Sequence, residues 1–588
     1  MVEYNRTSSN YQGMVSKLVD KGKRFFTDPQ ESVLSAATVI MFMIIASRVL
    51  GLVRQRTLAH FFLPGELSLF FAAFRLPDLV FEVLVFGTFS SAFIPVFTKS
   101  LDKGNHNAWK IASTVVNLGL LIFILLAFII GFGADFLYGI VAPGYSAAER
   151  AQIVQIARIL FAAQGFFVIS YVLTGVLESL RRFLVPALAP LFYNIGIILG
   201  TIFMSESRHL MAPTYGVLIG AMGHFLIQLP LAYRLGFRFS PKIEITKDVR
   251  KIGRLALPRV IEVSFLQASK VAELFFSSII STASYTYYTF GNSLQLLPVG
   301  LFGTSIAKAA LPSLAKQSDD SKEFTKTLLS SLYELIFLTA PIAAMLVVLR
   351  IPVIRLVYGT DIFGWTDTVQ TGYVLSAFAV GIVFQASVAL LARGFYAMHD
   401  TRTPVFVSLF TILSTIIFDF VFIRMLGYGA WGLAAAFSIG VVFQASTLLF
   451  LLNKKIMKKN LIKLLAPIVK ILLATVGSGL VMFFLVKIFD KSVWVKRLSF
   501  LGKIEATKAL NFEKFVLDTR YTINLMALTV SVALVGVVVY IVLSLILGSK
   551  EVFVFFDLVK RIFVKRKVSA IPKEEQEPVA PMPGDSAN

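Results

Sequence analysis

The chain has no cysteine, which excludes disulfide frameworks, thiol catalysis and thiolate metal sites. Its histidines, His60, His106, His209, His224 and His399, stand far apart and form no HExxH pattern, and no GxxxxGK[ST] loop is present to hold nucleotide phosphates. Charge is scarce as well. Asp, Glu, Lys and Arg make up 15% of the 588 residues against 56% hydrophobic, a balance foreign to water-soluble domains of this length. The short alternating segments of an outer-membrane barrel are missing too. The fold class that remains is an all-α integral membrane protein, with no sign of ATP hydrolysis, of a metal or of a resident cofactor.

Fourteen apolar spans follow one another from 33–58 to 522–548, each long enough to cross a hydrocarbon core of roughly 30 Å as a helix. Basic residues gather in alternate loops: Lys99, Lys103 and Lys110; Arg181 and Arg182; Arg234 to Arg254; Lys316, Lys322 and Lys326; Arg402; Lys454 to Lys463. The insertion machinery reads that pattern as cytoplasmic. It accounts for the formal net charge of +22 without nucleic acid, and an even number of spans puts both termini in the cytoplasm. The expected division is a cytoplasmic tail (1–31), a first lobe of six helices (32–240), a second lobe of six (241–456), two further helices with an external loop at 489–521 (457–549), and a basic amphipathic segment with a disordered tail (550–588). The 489–521 loop is basic although it should be external, which suits a segment around "VWVKRLSFLGKI" lying on the outer leaflet.

"GVLESLRRFLVPALAPLFYNIGIILG" (175–200) and "LARGFYAMHDTRTPVFVSLFTILSTI" (391–416) both run from a helix end through a basic turn to Pro and a new apolar span, about 217 residues apart. Two repeated halves around a central cavity are an arrangement that transporters rock between inward-open and outward-open states.

Charge inside a membrane helix is costly and marks function or pairing. In "SRVLGLVRQRTLAHFF" (47–62), Arg48 is too deep to snorkel easily, Arg54 is marginal, and Arg56 reaches the headgroups. Arg48 and Arg54 are about 9 Å apart along a helix axis and roughly 120° apart around it. Two guanidiniums so placed suit a diphosphate and its neighbour, because the planar fork matches phosphate oxygens; interfacial anchoring is the alternative. Span two, "FRLPDLVFEVLVFGTFSSAFIPVF" (74–97), bends at Pro77 and Pro95 and carries Arg75, Asp78 and Glu82 at helical spacings, a self-neutralising cluster.

"SRVLGLVR", "FFAAFRLPDLV", "GTFSSAFIPVF", "LPVGLFGTSIAKAALPSLAK" (297–316) and "GFYAMHDTRTP" (394–404), in that order, closely resemble the MurJ/MviN lipid II flippases of the multidrug/oligosaccharidyl-lipid/polysaccharide exporter superfamily. The resemblance runs from about 33 to 455. It implies fourteen helices in two six-helix lobes plus two C-terminal helices, and export of undecaprenyl-diphosphate-linked peptidoglycan precursor, lipid II, across the bacterial plasma (inner) membrane. The partners it implies are that lipid, membrane lipids and the peptidoglycan synthesis machinery. The family's two cavity arginines fall on Arg48 and Arg54. Its acidic residue after the second falls on Gln55, that opening helix two on Ser68, the helix-two arginine on Phe81, the following glutamate on Phe86, and the helix-eight Asp-Arg pair on Asn292 and Ser293.

The expected activity is lipid II flipping by alternating access, with no catalytic residues and with coupling to the membrane potential or a monovalent cation. A polysaccharide-unit flippase or small-molecule exporter of the same superfamily is the alternative within that class, and a polytopic glycosyltransferase or an inactive scaffold outside it. Span seven, "PRVIEVSFLQASKVAELFFSSIIS" (258–281), places Arg259, Glu262, Lys270, Glu273 and Ser277 within about 60° of one another. Lys270, steadied by Glu273, is thus expected to supply the second lobe's cation beside Asn292 and Ser293. A network of Arg259 with Glu262 and Lys270 with Glu273 that only packs the lobes is the other reading.

Overall fold

A computed structural model describes residues 33–85, 92–102, 105–458, 460–490, 519–553 and 556, with side chains described at all of these except 33–41, 105–106, 258–259, 261–262 and 461. The external loop, the basic tail and the small-residue run around Gly87 therefore lie outside the described residues.

Described residues form helices with few interruptions, because an apolar chain must satisfy its own backbone within each span. In the first half these are α1 (Val33–Phe61), α2 (Pro64–Ala73), α3 (Arg75–Val85), α4 (Ile94–Leu101), α5 (Asn105–Phe132), α6 (Ala134–Val141), α7 (Ala147–Ser179), α8 (Leu184–Arg208), α9 (Met211–Leu226) and α10 (Leu229–Arg234). The second half continues with α11 (Lys247–Ile280), α12 (Ser284–Pro298), α13 (Ser305–Lys316), α14 (Ser321–Val348), α15 (Arg350–Tyr358), α16 (Trp365–Ala397), α17 (Arg402–Phe420) and α18 (Trp431–Leu452). Last come α19 (Leu461–Phe489) and α20 (Thr522–Ile546), which pack on each other and both on α14.

Among the described residues, 12 helical stretches are long and apolar enough to cross a membrane. The other two expected spans fall on α1 and on the run from α2 to α4. That run, expected as one bent helix, is built in pieces, with a joint at Phe74 between α2 and α3. Pro64 and Pro95 both sit in the first turn of a helix, where a missing N–H is not missed. Span eight also bends: Pro298 opens a π-helical turn, Val299–Thr304, between α12 and α13, and such bulges often mark functional positions.

The repeat hinted at by the sequence is present, with an offset of 218. α7 and α16 both have 33 residues, starting at 147 and 365. Each ends in the same left-handed turn, at Arg181 and at His399, both with φ 58°. In both turns the second following N–H returns to the helix: Arg182 N donates to Leu177 O at 2.8 Å, and Asp400 N to Phe395 O at 3.0 Å, the closure of a Schellman motif. The two halves use matching caps, Ser146 with Glu149 and Gly364 with Asp367. Close packing is not repeated everywhere. Gly196 and Gly200 of α8 meet Gly216 and Gly220 of α9 so tightly that any Cβ would strike backbone, as small-residue stripes allow in membranes.

Candidate functional site

The halves meet at the C-terminal ends of α1 and α11 and the N-terminal ends of α2 and α12. Ser68 Oγ and Thr286 Oγ1 share a hydrogen bond of 2.9 Å, and Thr286 Oγ1 also donates to Pro64 O at 2.7 Å. Residues 68 and 286 are 218 apart, so the pseudo-twofold axis passes between them. Around it, Thr360 Oγ1 donates to Ala59 O (2.8 Å), Thr282 Oγ1 to Glu149 (3.3 Å) and Gly144 N to Ser278 Oγ (3.2 Å). Arg56 also bonds across the halves: its Nη1 donates to Leu356 O and Val357 O at 2.8 and 3.0 Å, capping the carbonyls at the end of α15, where a cation is favoured.

One layer further in, Gln55 Nε2 donates to Ser293 Oγ at 2.7 Å, Ser293 Oγ donates to Thr289 O at 2.8 Å, and Tyr358 OH donates to Gln55 Oε1 at 2.8 Å. The repeat equivalents of Gln55 and Ser293, again 218 residues away, are Glu273 and Arg75, which face each other across the axis. Each pair takes one residue from each half, and one of the two is charged while the other is neutral and hydrogen-bonded. Gln55 and Ser293, two of the positions that depart from the resembled family, are thus bonded to each other. Asn292, next to Ser293, accepts from Gln295 at 2.9 Å.

Lys270 does not lie on Glu273. Its ammonium is 2.9 and 3.0 Å from the two oxygens of Glu82 on α3, across the interface, and Gln267 donates to the same carboxylate. Glu273 instead turns to Arg75 and hydrogen-bonds Tyr288. Nor is the cluster on α3 self-contained: Asp78 accepts from Gln164 of α7 at 2.6 Å, Arg75 faces the Tyr285 ring at 5.9 Å, and Glu82 leaves its own helix for Lys270. The side chains of Arg259 and Glu262 fall outside the description. Gln267 and Asp419 escaped the sequence reading. Asp419 of α17 is 2% exposed beside Glu273, with one carboxylate oxygen unpartnered. The i+218 register would have pointed to the pairs, but an acid in an otherwise apolar span has no neighbour in sequence to identify its partner.

Arg48 and Arg54 differ from every other charge in this layer. Both are half-buried, and among the described residues neither has an acidic partner. Arg54 stands 5.8 Å from the Tyr193 ring centroid, a cation–π distance. Arg48 Nη2 is 3.9 Å from where a Cβ on Gly300 would stand. Gly300 is the repeat equivalent of Glu82. Where Lys270 meets a carboxylate, Arg48 meets a glycine.

The family model described as lipid II flippase MurJ matches residues 58–504. The chain belongs to the MurJ lipid II flippase family. The matched stretch begins after Arg48 and Arg54 and takes in the cross-half contacts from Ala59 onward. A probable lipid II flippase MurJ of Vibrio cholerae is 30% identical over 436 residues, covering 71% of this chain and 82% of the relative. The lipid II flippase MurJ of Burkholderia cenocepacia is 27% identical over 422 residues, covering 69% and 80%. A solved MurJ lipid II flippase in an inward closed conformation superposes with a TM-score of 0.70 at 26% identity, over 89% of this chain and all of that one. An inward-facing multidrug transporter of the wider superfamily shares the fold, with a TM-score of 0.57 at 16% identity over 71% and 98% of the chains. Among the described residues no group of three or more His, Asp or Glu is set to hold a metal ion.

Proposed function

We propose that the chain moves lipid II across the bacterial inner membrane by alternating access, with Arg48 and Arg54 holding the diphosphate while the isoprenoid tail stays in lipid. Membership of the MurJ family supports the substrate. The observation that carries the mechanism is the pair of arginines with no acidic partner among the described residues, standing between halves that are hydrogen-bonded together around Ser68 and Thr286. An unpaired guanidinium at such depth is costly unless an anion arrives, and its fork suits phosphate oxygens.

In this reading the lobes are 32–240 and 241–456, both termini are cytoplasmic, and the closed end at Ser68 and Thr286 is the outer one. Asn292 and Ser293 border the site through neutral hydrogen bonds, and Lys270, with Arg75, Asp78 and Glu273, holds the lobes in register. Arg75 and Lys270 face Asp78, Glu82 and Glu273, two cations against three acids, which supports coupling to a monovalent cation or to the membrane potential. A unit charge crossing 100 mV is worth about 2.3 kcal/mol. Membrane lipids and the peptidoglycan synthesis machinery are the partners this implies.

The test is rescue of a bacterium depleted of its own lipid II flippase. Growth with normal cell shape is expected; lysis despite normal membrane abundance of the chain contradicts the reading.

A further inference from the structure

Neither cation position expected in the second half is free: Lys270 is held by Glu82, and Ser293 is held by Gln55. Another lysine of that half is. Lys308 lies on α13, inside the span Ser284–Lys316, and is exposed. Among the described residues no carboxylate, carbonyl or ring is paired with it.

The face that carries Lys308 is not built for lipid. Between Gly300 and Ala315, Leu301, Ser305, Lys308, Ala309, Pro312 and Ser313 are the exposed residues, at spacings that place them on one side of the helix, and only Leu301 is large and apolar. A lipid-facing stripe in the same molecule looks different: on α5 the exposed residues include Leu121, Ile124, Leu125, Phe128 and Phe132, at 57–84% exposure. Small and polar side chains at membrane depth face protein or a water-filled cavity, and none of the described residues covers this face. The same helical run holds Gly300, against which Arg48 lies. From Gly300 to Lys308 is about 12 Å along the axis toward Lys316, and from Arg48 to Arg54 about 9 Å the other way. The three cations thus form a ladder, two rungs on α1 and one on the opposite half.

We propose that Lys308 is a substrate-binding residue of the second half, which meets the lipid-linked diphosphate on the Lys316 side of Arg48 and hands it on to Arg48 and Arg54. This rests on the function proposed above. It assigns capture to a lysine, whose flexible stem and three donors hold a phosphate as a point charge, and the tighter grip to the arginines, whose forks bind in a fixed orientation. Loss of Lys308 should therefore weaken capture without slowing the step that follows.

The natural absence of cysteine makes the test direct. Lys308→Cys is introduced into the otherwise complete chain, reconstituted in proteoliposomes, and assayed for lipid II flipping as a function of lipid II concentration. The expected result is a half-saturating concentration raised about tenfold, the loss of one partly hydrated charge-assisted contact, with maximal rate nearly unchanged. Treatment with 2-aminoethyl methanethiosulfonate, which rebuilds an ammonium on the introduced thiol, should restore the parent value; methyl methanethiosulfonate, which adds a neutral group, should not. A variant that saturates like the parent overturns the proposal. So does equal rescue by the neutral reagent, or a fall in maximal rate alone, or an introduced thiol that charged reagents cannot reach. If the parent chain fails to flip lipid II at all, the functional reading itself falls, and that result is distinct from any of these.

Discussion

Residues 82 and 300 occupy one position in the two halves, and they are treated oppositely. Glu82 receives Lys270 from across the interface, with Gln267 on the same carboxylate; Gly300 receives Arg48 and offers it nothing. The same contrast recurs one layer out, where Arg75 and Glu273 are charged and Gln55 and Ser293 are not. A duplicated scaffold thus keeps its charges in pairs on one side of the pseudo-axis, where they hold the halves together. On the other side Arg48 and Arg54 have no acidic partner among the described residues. Pairing thus differs between positions that the repeat makes equivalent.

The largest effect is expected from removing an unpaired cation. Arg48→Ala should lower lipid II transport about 100-fold or more, as loss of a charge-assisted, two-point contact implies, with normal abundance in the membrane. Arg48→Lys should fail as well if the bidentate geometry matters. Full transport by Arg48→Ala would break the contrast at its open side.

Paired charges should behave differently. Lys270→Met leaves Glu82 without its ammonium and should cost about 1–3 kcal/mol of stability, moderated because Lys270 is partly exposed. Lys270→Met together with Glu82→Gln should recover both stability and transport, measured by thermal unfolding in detergent and by flipping in proteoliposomes. A double variant that folds but does not transport would place Lys270 among the substrate contacts.

Smaller again is the neutral pair. Gln55→Asp and Ser293→Arg should each destabilise, by leaving one charge against an uncharged partner, while the double variant should regain stability with a coupling of about 1–2 kcal/mol. Additive losses in a double-mutant cycle would mean that the two positions are not energetically coupled.

Much of this could be read from the chain before its shape was known. Hydropathy marked the spans, because a backbone in lipid has almost no choice but helix, and the two basic turns at Arg181 and His399 betrayed the repeat because a helix end needs a left-handed residue to close. Partners across the interface were less readable. Lys270 was assigned to Glu273 because a helix brings residues three apart together, but a long side chain between two halves can equally reach a carboxylate on a different helix, as it does with Glu82. Arg56 looked like an interfacial anchor, because its distance from the apolar run suits snorkelling and nothing nearby in sequence announces the carbonyls at the end of α15. Lys308 was passed over inside a motif that the family resemblance had already absorbed. What a linear reading misses in each case is which opposite charge, if any, tertiary packing brings near.

The claim that Arg48 works because nothing neutralises it is tested most directly at Gly300. A Cβ there meets no heavy atom nearer than Arg48 Nη2 at 3.9 Å, so a longer side chain has room. Lipid II flipping should be measured in proteoliposomes for Gly300→Glu beside the near-isosteric Gly300→Gln. The account predicts that Gln retains most of the transport while Glu, by giving Arg48 the carboxylate that Glu82 gives Lys270, reduces it to the level of Arg48→Ala. Equal transport by the two variants would contradict it.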